Sequence, residues 1–186
     1  MVQKKNKKIN LHLGCGKRNI PNFINIDKSS FKHIHFKKSV DNLKIFKNNS
    51  VDMIYASHVL EYFDIHELKK VLKEWKRVLK KDGLLRISVP NFQSLIKVYK
   101  KTNNIENIIG PLFGRMKSGK NTIYHKYVHD YKSLNKILKS LNFKKIKKFN
   151  WRKTFHAKYD DHSQAYFPHM SKTNGIMISL NIDAKK

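Results

Sequence analysis

The sequence predicts an α/β fold in which helices cover both faces of a mostly parallel sheet. Short apolar runs bounded by Gly, Pro and Asn alternate with amphipathic helical patterns, and this alternation is typical of a doubly wound sheet. The chain has 186 residues, of which 40% are hydrophobic, which is enough to bury one core without disulfides. We therefore expect a single domain over residues 1–186, with a basic, flexible tail over residues 1–8.

Seven segments are predicted to form the strands: the first two are short apolar runs bounded by Gly, Pro and Asn, and the last two alternate as strands do. They are Ile9–Leu13, Phe23–Ile26, His33–Phe36, Val51–Ala56, Leu84–Val89, Phe143–Phe149 and Ile176–Ile182. The connection between the first two, Gly14–Asn22, has nine residues. A parallel crossover with a helix normally takes at least ~10–12 residues, so we expect a short first crossover without a full helix.

The clearest helical pattern lies between the fourth and fifth strands. Apolar residues recur there at three- and four-residue spacing over Ile65–Leu79. Asp64 is a suitable N-cap, and Glu67 completes a capping-box-like start. The turn Asp82-Gly83 is expected to stop this helix.

Two further helices and two irregular segments complete the pattern. One helix is predicted over Phe92–Lys101, and a second begins at Asp130. The polar, Gly-containing stretch from the first of these helices to Lys120 is expected to be irregular. The segment Asn150–Gly175 has no periodicity and is predicted to be a loop.

The chain is strongly basic, with 40 Lys and Arg residues against 13 Asp and Glu and a formal charge of +27. Such a charge can serve a polyanionic partner, since clustered basic residues release counterions from phosphates. However, the basic residues are spread along the whole chain and only five are Arg, the residue favoured for bidentate phosphate and base contacts. We therefore favour compositional drift as the cause, and expect nonspecific RNA adhesion in either case.

Other features of the composition concern the compartment. Cys15 is the only cysteine, so it cannot form an internal disulfide, and a reducing, cytoplasmic setting is expected. No apolar run is long enough to span a bilayer. The basic start leads into no apolar h-region, which argues against a signal peptide. The oligomeric state stays open.

A glycine turn, with Gly14 and Gly16, follows the first predicted strand. Sheets of this class bind ligands at the carboxyl ends of their strands, and glycines let the backbone approach a ligand closely. Asp27 ends the second strand, where a carboxylate can accept hydrogen bonds from ribose hydroxyls. Asn19 stands where a pyrophosphate-binding turn has its third glycine, and no full helix fits after the turn. A nucleoside cofactor without phosphate is therefore the better match.

Four segments together resemble the class I S-adenosylmethionine-dependent methyltransferases. They read HLGCGKRNIPNFINID, VDMIYASHVLEYF, EWKRVLKKDGLLRISVPNF and HKYVHDYKSLNKILKSLNFKKI. More narrowly, they are similar to a compact bacterial group of predicted methyltransferases often associated with cell-surface glycan biosynthesis. The resemblance implies a Rossmann-like sheet of seven strands whose last strand is antiparallel. It also implies S-adenosylmethionine as the cofactor and S-adenosylhomocysteine as its product.

The resemblance further implies which residues bind the cofactor. The methionine part of the cofactor would lie against Leu13, Gly14, Cys15 and Gly16, and its ribose would bind to Asp27. The adenine would lie along Asp41, Asn42 and Leu43. The methyl group that is transferred would lie beside Ser57 and His58. Two departures stand out. His12 occupies a position that is commonly acidic or Asn in the family, and Glu61-Tyr62 replaces a Glu-His pair.

Methyl transfer to a hydroxyl or neutral amine calls for a general base. His58 is the first candidate, because an imidazole pKa near ~6.5 suits proton acceptance at neutral pH. His125 is the second, because it lies on the segment expected to cover the acceptor, and Glu61 is expected to orient either histidine. Cys15 has no neighbouring base and is not expected to be a nucleophile. The ten histidines also suggest the hypothesis of a metal site. Structural zinc prefers Cys-rich ligand sets, so no metal is expected.

Three classes of function stay open. We favour O- or N-methylation of a small molecule or of a glycan- or lipid-linked acceptor. An RNA or other nucleic-acid methyltransferase would suit the charge, although Ala56–Val59 is not the Asn/Asp-Pro-Pro-aromatic run that grips a flipped base. A cofactor-binding homologue without catalysis is the third class.

Overall fold

A computed structural model describes residues 8–118 and 121–186, and seven of its strands form one sheet. These strands are Asn10–Leu13 (β1), Ile24–Asp27 (β2), Phe36–Lys37 (β3), Val51–Ser57 (β4), Leu79–Pro90 (β5), Lys144–Lys148 (β6) and Ser179–Lys185 (β7). The sheet order is β3-β2-β1-β4-β5-β7-β6. The first five strands are parallel, and β7 runs antiparallel to both β5 and β6. The predicted seven-stranded, mostly parallel sheet is confirmed; the predicted tail falls outside the described residues except for Lys8.

The α-helices described by the structure are Ile65–Val78 (α1), Phe92–Thr102 (α2), Glu106–Phe113 (α3) and Tyr131–Ser140 (α4). Asp64 caps α1 in a capping box with Glu67, and Asp130 caps α4. The predicted end of the first helix was wrong, because Leu79 already belongs to β5 and pairs with Val51. Pairing with β4 therefore outcompetes the helical pattern several residues before Asp82-Gly83. No helix among these is long and apolar enough to cross a membrane.

Three connecting regions differ from their sequence predictions. The third strand is only two residues long, and both are exposed. The stretch after α2 was expected to be irregular, but it holds α3 and a hairpin that pairs Met116–Ser118 with Asn121–Ile123. The last predicted strand is divided, since Ile176–Met177 pairs with Tyr166–Phe167 and only the following residues join the main sheet as β7.

The two faces of the sheet are covered differently. In β4, Ile54 and Ala56 belong to the large apolar cluster to which α1 and α4 contribute. The alternate residues Met53 and Tyr55 belong to a second cluster, whose other buried members are Ile20 and Phe23 from the first crossover. That crossover contains only turns between β1 and β2, as its length predicts, so turns take the place of a helix there.

The second face also carries a layer of buried polar pairs. Arg86 on β5 forms a two-pronged ion pair with Asp183 on β7, with both N–O distances at 2.8 Å. The Ser88 hydroxyl donates to the side-chain oxygen of Asn181 at 2.6 Å. Asn181 in turn donates to the backbone carbonyl of Ser163 at 2.9 Å. The segment after β6, which shows no periodicity in sequence, therefore covers this face through polar contacts.

Candidate active site

The glycine turn after β1 has two distinct roles in the structure. Gly14 has φ +64°, and a Cβ there would lie 2.5 Å from Cγ2 of Val59. Gly14 thus allows the turn to pack directly against the residues that follow β4. Gly16 has φ +51°, but nothing lies within 4 Å of the place where its Cβ would be. Gly16 therefore leaves an open cradle at the carboxyl end of the sheet, as a cofactor turn requires.

Asp27, at the end of β2, faces this turn. Its Oδ2 accepts a hydrogen bond from the Gly16 amide at 2.8 Å. Its Oδ1 accepts from the amide and the hydroxyl of Ser29 at 2.8 and 2.7 Å. The two amides fix the carboxylate, whereas the hydroxyl can rotate away and leave its place to a ligand hydroxyl. His33, which the sequence analysis missed, donates from Nε2 to the Gly16 carbonyl at 2.9 Å and so fixes the other side of the turn.

The remaining residues of the turn are buried. Leu13 is fully buried in the main core, so only its backbone can face a ligand. Cys15 is 3% exposed, and burial raises the pKa of its thiol to about 12. The thiol is therefore protonated at neutral pH, which agrees with the expectation that Cys15 is not a nucleophile.

The segment predicted to meet the adenine is split between surface and core. Asp41 and Asn42 are exposed after β3. Leu43 is fully buried, and its amide donates to Oε1 of Glu74 on α1 at 2.9 Å. The side chain of Leu43 is thus used in core packing, and its amide is used in the hydrogen bond to Glu74. The exposed residues Asp41 and Asn42 are left to face a ligand.

Three residues predicted to be catalytic lie together beyond the end of β4. The His58 Nδ1 lies 3.4 Å from Oε1 of Glu61, and the His125 Nε2 lies 3.8 Å from the same oxygen. His58 has φ +55°, a left-handed conformation that is uncommon outside glycine and clusters at functional sites. Its amide is held by the Ser88 carbonyl of β5 at 2.9 Å. Because Gly14 packs on Val59, this cluster lies beside the glycine turn.

The hydrogen bonds around the two rings fix their neutral tautomers. The Ser179 hydroxyl donates to the His162 carbonyl, so its oxygen accepts from His58 Nε2 at 2.8 Å. His125 Nδ1 points at the Pro111 carbonyl at 3.1 Å, which can only accept. Each ring therefore carries its proton on the side away from Glu61 and presents an unprotonated nitrogen to the carboxyl group.

Burial decides the charges of this cluster. The Glu61 side chain is 1% exposed, and neither of its oxygens has a hydrogen-bond partner within the described part of the chain. Burial raises the pKa of Glu61 to about 8. Burial also lowers the pKa of His58 well below its usual value, and lowers that of His125. At pH 7 the cluster thus holds two neutral imidazoles and one protonated carboxyl group.

Two further polar residues lie near the strand ends. The hydroxyl of Ser57, the last residue of β4, is buried without a hydrogen-bond partner among the described residues. His12 is 2% exposed and lies in the second-face cluster, with its ring 5.2 Å from that of Tyr55. Burial lowers the pKa of His12 to about 4. His12 is therefore a neutral packing residue beneath the turn.

A groove of about 590 Å³ adjoins His125. Its lining includes Phe92 of α2, Phe113 of α3, Lys126 and Tyr127. The groove is mostly apolar with a few polar groups, which is the usual character of a small-molecule site. It lies on the segment that was expected to cover the acceptor.

Of the histidines and aspartates over 156–169, His156 and Asp161 are buried, whereas Asp160, His162 and His169 are exposed. Asp161 accepts from the Tyr55 hydroxyl at 2.5 Å and from the Ser163 amide at 2.7 Å. Within residues 8–118 and 121–186, no group of three or more His, Cys, Asp and Glu side chains is arranged to hold a metal ion.

Comparison with known families bears on this arrangement. Residues 17–87 match the family described as "Methyltransferase domain". The matched segment covers 71 of the 186 residues of the chain. The matched part includes Asp27, His58 and Glu61, whereas the glycine turn and His125 lie outside it. With the sheet order described above, the match confirms the predicted class I S-adenosylmethionine-dependent methyltransferase.

Solved structures agree on the fold of this methyltransferase. An S-adenosylmethionine-dependent methyltransferase from Archaeoglobus fulgidus has a TM-score of 0.59 and 20% identity, over 98% of this chain and 87% of the other. One from Methanosarcina mazei has a TM-score of 0.59 and 18% identity, over 97% and 93%. The Burkholderia thailandensis 1,6-didemethyltoxoflavin-N1-methyltransferase was solved with 1,6-didemethyltoxoflavin and S-adenosylhomocysteine. It has a TM-score of 0.55 and 11% identity, over 96% of this chain and 70% of the other. No curated protein matches the chain significantly in sequence.

Some site residues of the methyltransferase left no signal in the sequence. Ser179, which fixes the tautomer of His58, lies 121 positions away on β7. Val59 matters because its side chain meets the glycine turn. Only the strand order brings these residues together, and no local pattern encodes it.

Proposed function

We propose that this methyltransferase transfers the methyl group to a hydroxyl or amine of a small molecule or of a glycan- or lipid-linked acceptor. In this proposal the cluster of His58, Glu61 and His125 receives the acceptor's proton. The observation that carries it is the buried, unpartnered Glu61 carboxyl between two unprotonated imidazole nitrogens. We further place the reaction in the cytoplasm, since a lone, unpaired cysteine suits a reducing compartment.

The residues at the carboxyl end of the sheet fit the cofactor. The open space at Gly16 would admit the methionine part, and Asp27 would accept the ribose hydroxyls in place of the Ser29 hydroxyl. Asp41 and Asn42 would meet the adenine, and the free Ser57 hydroxyl would meet the methionine end. When bound, S-adenosylmethionine supplies an electrophilic methyl group, and the protein supplies alignment and a base.

The proton of the acceptor is the part of the reaction that the chain itself must handle. A neutral imidazole at pH 7 can accept that proton, and both histidines are kept neutral by burial. The resulting imidazolium would be buried, which is costly without a counter-charge. Above its pKa of about 8 the Glu61 carboxyl group is ionised and supplies this counter-charge, because its Oε1 lies 3.4 and 3.8 Å from the two ring nitrogens. The cluster is therefore suited to general-base catalysis.

The groove beside His125 is the proposed acceptor site. Its mostly apolar lining, which includes one lysine, Lys126, and one aspartate, Asp130, favours an acceptor with an apolar part. The B. thailandensis enzyme of the same fold holds a small molecule as its acceptor, which supports a small-molecule acceptor here. A dedicated nucleic-acid substrate receives no comparable support from the site.

Binding of S-adenosylhomocysteine tests the cofactor part of the proposal. In titration calorimetry, Asp27→Asn should reduce the affinity at least about 100-fold, because an amide cannot accept on both sides. Asp160→Asn is the matched control, since Asp160 is exposed and its carboxylate pairs with Lys172 at the surface. Equal affinity in the wild type and the Asp27 variant would contradict the ribose role.

Turnover tests the acceptor part. Methyl transfer from labelled S-adenosylmethionine is measured on a panel of sugars, lipid-linked sugars, phenols and amines over pH 6–9. His58→Gln keeps a donor for Ser179, and His125→Asn keeps a donor for the Pro111 carbonyl, so each variant mainly removes the unprotonated nitrogen. We expect each to lower kcat by about 10²–10⁴-fold with little change in cofactor affinity. Tight cofactor binding without turnover on any acceptor would instead support the non-catalytic homologue.

A further inference from the structure

The segment around α2 and α3 exposes an unusual amount of apolar surface. Of the thirteen large hydrophobic side chains that are exposed within the described residues, nine lie between residues 92 and 128. They are Phe92, Ile96, Tyr99, Ile105, Ile109, Phe113, Met116, Tyr124 and Val128. Single exposed apolar residues are common on proteins, but a concentration of this kind marks an interaction site. We call these nine side chains the apolar face.

The two helices present this face as two stripes. Phe92, Ile96 and Tyr99 follow three- and four-residue spacing on α2, beside the buried residues Leu95 and Val98. Such spacing places side chains on one side of a helix.

On α3, Ile109 and Phe113 continue from Ile105, its N-cap residue, at four-residue spacing. Phe92 at the start of α2 and Phe113 at the end of α3 line the same groove. A short turn joins the end of α2 to the start of α3, so the two helices form a hairpin. The two stripes meet at the open end of this hairpin, where Phe92 and Phe113 lie.

The segment that carries the apolar face is rich in positive charge. Between residues 92 and 128 the sequence has seven Lys and Arg residues and one acidic residue, Glu106. Lys97, Lys100 and Lys101 are all exposed on α2 itself. An amphipathic helix pair with apolar side chains beside lysines is the type of surface that lies in the interface of an anionic bilayer.

We infer that the apolar face binds the surface of an anionic phospholipid membrane, with α2 and α3 lying in the plane of the interface. Five of its nine side chains, including Ile96 and Ile109, are aliphatic and cannot stack on bases, which bind to aromatic rings and Arg planes, so the face favours lipid over nucleic acid. The segment holds only one arginine, Arg115. Since the face adjoins the groove beside His125, this orientation turns the groove toward the bilayer.

Vesicle flotation of the full chain tests this inference. In 150 mM salt the protein should float with vesicles of phosphatidylglycerol and phosphatidylcholine, and much less with pure phosphatidylcholine. Ile96→Ser combined with Ile109→Ser should weaken binding to the anionic vesicles by about 10-fold or more. The matched control combines Phe31→Ser and Ile45→Ser, which are equally exposed, at 39% and 42%, but lie outside the segment. It should leave binding unchanged.

A second series separates this face from general charge. Lys97, Lys100 and Lys101 are changed together to Gln, and compared with the same change of Lys132, Lys136 and Lys139, which are exposed on α4. The α2 set should weaken binding on the order of 100-fold, and the α4 set far less.

An inserted fluorophore gives a readout that does not depend on affinity. The two natural tryptophans are buried, so emission from an Ile109→Trp variant can be followed on its own by difference. On anionic vesicles this emission should shift to the blue and be quenched by brominated lipid, whereas Ile45→Trp should show neither effect. Three results would overturn the inference: no flotation with anionic vesicles, equal losses in the test and control variants, or an Ile109→Trp emission that does not change. Tighter binding to single-stranded RNA, lost in the Ile96/Ile109 variant, would assign the face to nucleic acid instead.

Discussion

The change Glu61→Gln separates the two consequences of burying a carboxyl group between two imidazole rings. Glutamine has nearly the same shape, so the packing is kept. It can donate a hydrogen bond to one ring nitrogen but cannot lose a proton. We therefore expect the variant to be more stable than the wild type at neutral pH and yet much less active, a combination that loss of packing would not produce.

The size of the stability change follows from the pKa of Glu61. Burial raises it from 4.5 to about 8, so the folded protein binds one more proton than the unfolded chain between these values. Stability of the wild type therefore falls as pH rises through this window. At pH 7, about 2.5 units above the unfolded pKa, the cost is about 3 kcal/mol at ~1.36 kcal/mol per unit. Glutamine does not incur this cost, so the variant should gain about that much, and almost nothing at pH 4.5.

Urea unfolding of both proteins at pH 5, 6, 7 and 8 measures this difference. Subtraction removes the contribution of other titrating groups, which the two proteins share. Glu106→Gln is the control, because Glu106 is exposed on α3 and should show no such growing difference. A Glu61 variant that is less stable than the wild type, or a difference that stays constant from pH 5 to pH 8, would refute the reasoning. For activity we expect a loss of about 10²–10⁴-fold in kcat.

Three more predictions concern the turn, the second face and its ion pair. Gly14→Ala should destabilise the fold by about 2–4 kcal/mol, because its φ is positive and the added Cβ would clash with Val59. Gly16→Ala should cost only about 1 kcal/mol of stability and should mainly weaken the binding of S-adenosylhomocysteine. Urea unfolding measures the two stability changes, and titration calorimetry measures the affinity. Burial lowers the pKa of His12 from 6.5 to about 4, so the unfolded chain binds a proton at this residue between these values and the folded protein does not. The free energy of unfolding should therefore fall by about 2 kcal/mol from pH 7 to pH 5 because of His12. The His12→Phe variant should not show this contribution in urea unfolding. Arg86→Met should cost about 3–5 kcal/mol in urea unfolding, because it leaves a buried carboxylate unpaired.

The site was predictable where one strand and its following turn supply the chemistry. Gly14, Gly16 and Asp27 each follow a strand that the apolar runs predicted, and the parallel order of β1 and β2 brings their ends together. The meeting of His58 and Glu61 is likewise local, since they are three residues apart after β4. These parts depend on short-range pattern and on a general property of parallel sheets.

The tautomers and the charges of the catalytic cluster were beyond sequence reasoning. They depend on Ser179 from the last strand and on the carbonyl of Pro111 at the end of α3. A sequence gives residue types at such positions but not their distance from a ring nitrogen. The helix α3 was itself missed, because it is only eight residues long and contains a proline that usually ends a helical pattern.

The second face of the sheet shows a related limit of pattern reading. In β5 and β7 apolar and polar residues alternate, and such alternation normally indicates one buried and one solvated face. Here the polar residues are also buried, and they meet as direct neighbours across the strands: Arg86 is opposite Asp183, and Ser88 is opposite Asn181. Because the first crossover is too short for a helix, the irregular segment after β6 covers this face and satisfies its polar groups instead. The same polar alternation therefore marks a buried layer in this chain, and only the pairing of complementary residues at matched register distinguishes it from a solvated face.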